Sequence, residues 1–339
     1  MRIMGVRNAH DESIAKQFVQ RVDRDARMGV VRNAAPTIVL VVMTVFCMIF
    51  VNGFMTWKNL TNLFSQMTIP LVLATGLTFV LLIGSIDLSL EGVMGFAAAL
   101  TALGVTNSIN SNHFGIWAIL LVILVGTLFG VINGLIHVKL RIPSFMTTYA
   151  MGTVIRGIGL LFYKGKPATI KEEALIQLSR GTLFGIPYLA LIAIAVFIIG
   201  CIILNYTAFG RAVYAIGDNP GIARAAGINV ERTKIKVFAL CSLTASIAGV
   251  LGVIRLKVGQ VGVGDNNLFP TITAVTVGGL SAGRGGMLQT LVGVLIYTEL
   301  NNYLTLMGVD AFYKQAIQGV IILVAVALSA TRTRKMVVK

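Results

Sequence analysis

Charged side chains are scarce in this chain, and they are missing in blocks. Only 12% of its 339 residues are Asp, Glu, Lys or Arg, about half the share of an average soluble domain. Residues 33–57, 59–86, 92–138, 181–210, 237–254 and 315–331 carry none at all. Each block is close to or longer than the roughly 17–25 residues that cross a bilayer as helix. A soluble domain needs charged surface, so this pattern excludes one and predicts a membrane-embedded chain. Cysteine is equally thin. Cys47, Cys201 and Cys241 stand in apolar stretches without paired spacing, which excludes a disulfide framework and a zinc site. His10, His113 and His137 are scattered and share no metal-binding motif. They do not supply the convergent groups that a membrane enzyme needs. Gly278, Gly279, Gly283, Gly285 and Gly286 surround Arg284, but the Lys-Ser/Thr ending of a phosphate loop is absent. That stretch reads as a tight inner turn with Arg284 as an inner-face contact. No cofactor is expected on this chain, and no catalytic residue.

What the chain has in quantity is apolar residues, 56% of the total, and 36 glycines. Glycine is costly in a soluble helix. In a membrane bundle it lets backbones approach closely. The pattern predicts an all-α polytopic transmembrane bundle of about ten spans. They are placed at 36–54, 67–84, 90–106, 115–138, 145–163, 186–206, 235–255, 267–280, 285–305 and 314–330. The segments 67–84, 90–106 and 267–280 are short, Gly- or Pro-marked or tightly linked, and one or more should be broken or re-entrant. The first apolar run begins near Pro36 with no small-residue cleavage signal before it, so 1–35 reads as a basic tail and not a secretory leader. The membrane domain is then 36–330, with an inner loop at 207–234 and a second basic tail at 331–339.

Basic residues test the orientation. With both ends inside, 19 of the 28 Lys and Arg fall on inner segments and eight on outer ones. This asymmetry predicts N-in and C-in. The net charge of +15 is thereby explained by topology, with contact to anionic lipid in addition. Nucleic-acid binding would need a basic face with aromatics on a soluble module, and none is present.

The most informative stretch is Asn205 to Lys236, NYTAFGRAVYAIGDNPGIARAAGINVERTKIK. Gly217, Asp218, Asn219 and Pro220 form a turn signal. Asp218 or Asn219 can cap the following helix, with Pro220 at its first position. Residues 222–226 give one or two turns, and Gly227 ends them by favouring a left-handed backbone. The residues themselves admit two readings: a docking surface for a soluble partner, or a polar loop with a helical turn.

The stretch FGRAVYAIGDNPGIARAAGI, Phe209 to Ile228, resembles the coupling loop of ABC-type importer permeases. The branch in question includes the ribose, xylose and galactoside permeases and is related to the branched-chain amino-acid permeases. Further stretches resemble the same branch: IGSIDLSLEGVMG (Ile83 to Gly95), RIPSFMTTYAMGTVIRGIGLLF (Arg141 to Phe162) and TVGGLSAGRGG (Thr276 to Gly286). The likeness runs from about Pro36 to Ala330. Three positions depart from the pattern. Ser85 replaces a glycine, Glu91 stands where Val or Ala is usual, and Leu268-Phe269-Pro270 replaces an acidic element. The resemblance implies a permease subunit for a monosaccharide or similar small polar solute in a bacterial inner membrane. Branched-chain amino acids are the alternative cargo, and a secondary transporter is a more distant one. It implies several partners: a pair of ATP-binding subunits holding ATP-Mg, a soluble solute-binding protein, and a second permease chain, identical or homologous. It carries the coupling role onto Gly210, Arg211, Gly217, Asn219, Pro220, Ala223, Ala226 and Gly227.

Four polar residues inside apolar segments are candidates for the pathway or its gate. Asp87 and Glu91 would share one face if both were helical, near the inner end of a span where water can reach. Asp87 is alternatively a helix cap, with Ser89 as a second choice. Arg156 could snorkel, pair with a neighbouring helix or line the path. Asn133, like Gln289, Asn301 and Asn302, reads first as a helix–helix hydrogen bonder.

Overall fold

In the computed structural model, residues 34–310 and part of 313–320 are described. The expected tails 1–35 and 331–339 lie outside the described residues except for positions 34 and 35, as does most of the predicted span 314–330. The helices, in order, are α1 (Ala34–Phe50), α2 (Trp57–Leu82), α3 (Leu90–Gly104), α4 (Ile116–Lys139), α5 (Ser144–Tyr163) and α6 (Glu173–Arg180). Then come α7 (Tyr188–Tyr206), α8 (Ala208–Asp218), α9 (Pro220–Ala225), α10 (Val230–Leu256), α11 (Leu268–Val277) and α12 (Met287–Leu306). Five of these, α2, α4, α5, α7 and α10, are long and apolar enough to cross a membrane. The chain is a polytopic helical membrane protein.

Burial sorts the long helices into a centre and a ring. α2 and α10 are mostly buried within the chain, while α4, α5 and α7 leave most of their apolar surface outward. In water such faces would be a liability. Against lipid they are the solvent-matched surface.

The segment predicted at 67–84 is in fact the inner part of α2, which begins at Trp57 and runs 26 residues. Asn59, Asn62, Ser65 and Gln66 depress its hydropathy and hide its first turns from a sequence reading. Two of these residues are satisfied inside the bundle. Asn59 Nδ2 donates to Asn302 Oδ1 at 3.1 Å and Asn302 Nδ2 donates back to Asn59 Oδ1 at 2.9 Å. Gln66 Oε1 accepts from Asn301 Nδ2 at 3.4 Å. The N-terminus is capped by Thr56 Oγ1, which accepts from Asn59 N at 3.3 Å. Pro70 sits inside the helix, where neighbouring helices can tolerate its missing donor.

The other two suspect segments are short, as expected. α3 has 15 residues and α11 has ten, about 22 and 15 Å of helix. Each is entered by non-helical backbone. Residues 85–89 climb into the bundle ahead of α3. There Ile86 N donates to Ser144 Oγ at 3.1 Å and Leu88 N to Thr148 Oγ1 at 2.9 Å, both on α5. Residues 257–267 lead to α11 through a short 3-10 turn at Val261–Gly264. Backbone of this kind persists at membrane depth only where protein surrounds it.

Small residues bring the helices close. Gly126, Gly130 and Gly134 repeat every four residues on α4 and face α10. A Cβ on them would lie 1.9 Å from Ser246 Oγ, 2.4 Å from Phe238 O and 2.7 Å from Ile235 Cα. Small sheets lie in the loops that follow α5 and α10. Ala168 pairs with Gly259 and Thr169 with Val258, antiparallel. A hairpin pairs Thr182 with Pro187 and Leu183 with Ile186.

A clasp beside the first of these sheets carries a pH prediction. Glu172 Oε2 accepts from Thr106 Oγ1 at 2.6 Å and from Thr106 N at 3.3 Å, with His113 Nδ1 at 3.2 Å. The Thr106 hydroxyl bond, above the other contacts, holds this carboxyl below its usual range. Its contribution is therefore fully present above the ordinary glutamate value near 4.3. It is lost as pH falls through the lower folded value. Glu172→Gln should be less stable than wild type at neutral pH by at most about 1 kcal/mol. The gap should close below about pH 4, as read by thermal unfolding in detergent.

Candidate transport site and coupling surface

The loop expected at 207–234 folds as two helices, α8 and α9, beyond the end of α7. Thr207 Oγ1 accepts from Gly210 N at 3.2 Å and caps α8. Gly210 is buried because a Cβ there would lie 1.9 Å from Leu204 O. Gly217 meets the end of α2 and the 278–286 turn. A Cβ on it would be 1.9 Å from Leu82 O and 2.5 Å from Gly283 N. These two groups bond each other, Gly283 N donating to Leu82 O at 2.9 Å. Tyr214 Oη donates to Gly285 O at 2.9 Å. The glycine turn is thus a socket for α8, and Arg284 stands exposed on it.

α9 is built as its residues predict. Asn219 Oδ1 accepts from Gly221 N at 2.9 Å and Ile222 N at 3.1 Å, with Pro220 first in the helix. Gly227, at φ +82°, closes it. Ile228 N returns to Ala223 O at 3.0 Å and Gly227 N to Arg224 O at 3.0 Å. Of the eight residues expected at a coupling surface, Gly210 and Ala223 are buried and Gly217 is half-buried. Arg211, Asn219, Pro220, Ala226 and Gly227 are exposed. Ile222 is 67% exposed, an apolar side chain left standing on the surface of α9.

Asp87 lies in the extended 85–89 segment, completely buried, and so shares no helix face with Glu91. Its Oδ1 accepts from Ser89 N at 2.8 Å and from Ser89 Oγ at 2.6 Å. Asn133 Nδ2 donates to Ser89 Oγ at 2.9 Å. Asp87 therefore orders the turn into α3, and Ser89, the residue before the helix, makes no side-chain cap bond. Asn133 thus ties α4 to the turn ahead of α3. Among the described residues, Asn133 Oδ1 has no hydrogen-bond partner, and Asp87 has the Cys241 thiol beside it. Asp87→Asn keeps the shape and the ordered oxygen and should change stability by no more than about 1 kcal/mol, whereas Asp87→Leu should cost about 3. Thermal unfolding checks both. Loss of uptake in a stable, well-inserted Asp87→Asn chain would show that the charge itself is used.

The starts of α3 and α11 converge. Glu91 Oε1, in the first turn of α3, accepts from Leu268 N, the first residue of α11, at 2.9 Å. This acceptor satisfies an orphan donor of a helix start and complements its dipole. Two of the three departures noted in the sequence thus meet in space: the added acid at 91 reaches the segment that lacks one at 268. Arg156 of α5 forms a two-pronged ion pair with Asp265, Nη1 to Oδ1 and Nη2 to Oδ2, the latter at 3.0 Å. The two side chains are 43% and 35% exposed. Asn267 Nδ2 donates to Gly264 O and Asp265 O, each at 3.0 Å, fixing the turn that presents Asp265. The sequence reading missed Asp265, because a carboxylate after a span looks like loop. It also missed Glu299 of α12, whose Oε1 and Oε2 accept from Thr44 Oγ1 of α1 at 2.8 and 3.0 Å. A cavity of 710 Å³ lies where the end of α3, the start of α4 and the end of α5 meet, beside Trp117 and Phe162 and away from these groups.

Helices broken within an apolar bundle, around polar side chains that remain partly open, define a solute-transporting membrane protein. The sequence belongs to a family of that class, described as "branched-chain amino acid transport system / permease component", whose model matches residues 59–326. It is a transport component and not a catalytic chain. Among curated relatives it is 35% identical to the ribose import permease protein RbsC of Bacillus subtilis (strain 168), over 90% of this chain and 95% of that one. It is 34% identical to RbsC of Escherichia coli (strain K12), over 81% and 86%. It is also 34% identical to the L-arabinose transport system permease protein AraH of Escherichia coli (strain K12), over 85% and 88%. No solved structure matches the chain.

Proposed function

We propose that this chain is the membrane-spanning permease subunit of an ATP-driven importer in the bacterial inner membrane, carrying a monosaccharide or similar small polar solute. The observation that carries the reading is α9. It is a capped helix at the end of a bundle, and its outer face, Ile222 with Pro220, Ala226 and Gly227, is left uncovered. Such a helix fits a cleft in an ATP-binding subunit. ATP-Mg is held by a pair of those subunits, and their closure moves α9 and tilts the bundle between outward and inward access. Arg211, Asn219 and the exposed end of α9 make the contact, while Gly210, Gly217 and Ala223 seat α8 and α9 on the bundle.

The solute path runs past Glu91, Arg156 and Asp265. A carboxylate accepts and a guanidinium donates to sugar hydroxyls, which suits a polyhydroxy cargo. The relatives named for ribose and L-arabinose import support the same class. A second permease chain, identical or homologous, closes the other side of the path. A soluble solute-binding protein delivers the cargo outside. Both ends of the chain lie inside, and about ten segments, α3 and α11 among them, make up the bundle.

Purification of the full chain from its native membrane in mild detergent, with identification of what comes with it, tests this. An ATP-hydrolysing subunit and a soluble binding protein that takes up pentoses or hexoses are expected. A binding protein selective for leucine or isoleucine would instead favour the amino-acid cargo of the family's description. The chain recovered alone, in gentle lipid with ATP present, would overturn the importer.

A further inference from the structure

A second concave site lies on the inner face, separate from the path. It is a cavity of 570 Å³ whose walls include Arg141, Ile142, Arg224, Glu231, Lys234 and His137. It forms where the end of α4, the turn into α5, α9 and the first turn of α10 come together. Three cations thus line it against one carboxylate. That carboxylate, Glu231, is drawn to the rim by Lys139, with Nζ 3.7 Å from Oε2.

The histidine adds no charge. His137 Nδ1 lies 2.7 Å from Ile142 O, a carbonyl that can only accept. Its Nε2 lies 3.2 Å from Lys234 Nζ, an ammonium that can only donate. Nδ1 therefore carries the proton, Nε2 is the acceptor, and the ring is neutral. It positions Lys234 in the cavity wall. Arg141 is held at φ +57°, an uncommon conformation for a residue with a side chain. It sits in the turn that closes the cavity.

Leu140 is 65% exposed and Met146 53%, and Phe145 stands beside them. Lys139, which reaches Glu231 at the cavity, ends an outward ridge on α4 formed by Leu124, Leu128, Ile132 and Leu135, all exposed at helical spacing. An apolar track therefore descends the lipid-facing side of α4 and ends at a basic cup at the membrane edge.

We propose that this cup binds the phosphate of an anionic phospholipid from the inner leaflet, with an acyl chain lying along the α4 ridge. A phosphate group is the chemistry that several clustered cations recognise. The adjoining track assigns it to a lipid, because a free phosphate would have no use for one. Since Arg224 belongs to α9 and Arg141 to the α4–α5 turn, one headgroup would tie the inner helix to the membrane-embedded frame. This inference does not rest on the identity of the cargo or of the ATP-binding partner.

Native mass spectrometry of the full chain in mild detergent, titrated with phosphatidylglycerol or phosphatidylcholine of equal chain length, tests it. The wild type should retain phosphatidylglycerol in preference to phosphatidylcholine. Lys234→Gln should weaken that retention about fivefold, and Arg141→Gln with Lys234→Gln about twenty-five-fold, since each basic residue near an anionic surface contributes a factor of about five. Lys164→Gln with Lys166→Gln, on the outer side, should leave it unchanged. If the double inner variant fails to insert, Lys234→Gln alone decides. Equal retention of the two lipids, or unchanged retention by the inner variants, would overturn the proposal. Full displacement by millimolar inorganic phosphate would overturn the lipid and leave a free phosphate site.

Discussion

Arg156→Ala should lower solute uptake by about ten- to a hundredfold while the chain still inserts at normal abundance. The pair with Asp265 joins α5 to the segment that leads into α11, and removing the cation leaves a carboxylate facing an apolar bundle. For a fully buried pair that costs about 3–5 kcal/mol. Here both side chains keep about two-fifths of their surface open, so solvent reduces the stability cost to roughly 1–2. The larger loss falls on transport. Arg156→Lys should be nearly as defective, because a lysine cannot offer two parallel N–H groups to Oδ1 and Oδ2. The exchange Arg156→Asp with Asp265→Arg separates the two roles. It keeps an ion pair, so thermal stability should recover, but it reverses the groups presented to the path, so uptake should not. Recovery of both would reduce the pair to a structural strut.

Gly217→Val should abolish coupled uptake. Even a Cβ would lie 1.9 Å from Leu82 O, so α8 would have to leave its socket, and the Gly283 N to Leu82 O bond would be disturbed with it. Overpacking against backbone costs about 1–3 kcal/mol or more, and here it displaces the support of α9. Gly227→Val is the informative contrast. Nothing lies within 4 Å of its Cβ position, so the penalty is the left-handed backbone alone, about 1–2 kcal/mol. It should fray the end of α9 and leave the bundle intact. ATP hydrolysis measured beside uptake in reconstituted vesicles should show hydrolysis continuing without transport in both. Gly217→Val should also lower the unfolding temperature by more than Gly227→Val does. Normal coupling in Gly227→Val would remove α9 from the transmission path.

Much of this was legible in the sequence because the physics involved is local. Asn219, Pro220 and Gly227 specify a cap, a first turn and a stop within nine residues, and α9 has all three. The apolar blocks gave the long helices to within a few residues, except where polarity served packing. Asn59 helps make the start of α2 look like loop until its bonding to Asn302 of α12 is seen. The site was less legible because it is assembled from distant parts of the chain. Glu91 finds its role only at Leu268, and Arg156 only at Asp265, a pairing across more than a hundred residues that no periodicity records. Asp87 likewise depends on a distant helix. The helical reading that set it on one face with Glu91 fails at a non-helical segment, and Thr148 and Ser144 of α5 hold that segment.

The glycine seam between α4 and α10 has a mechanical consequence. Its contacts are too close to let one helix slide by a turn past the other, so the two behave in bending as a single beam. α10 alone spans 27 residues, about 40 Å, and its inner end is joined directly to α9. On the proposed coupling role of α9, a load applied there would not dissipate as local flexing. It would reach the far ends of two helices at once, with compliance left to the thin, non-helical stretches at 85–89 and 257–267. Those joints, and not the glycines, are where stiffness would have to be added to stall the cycle.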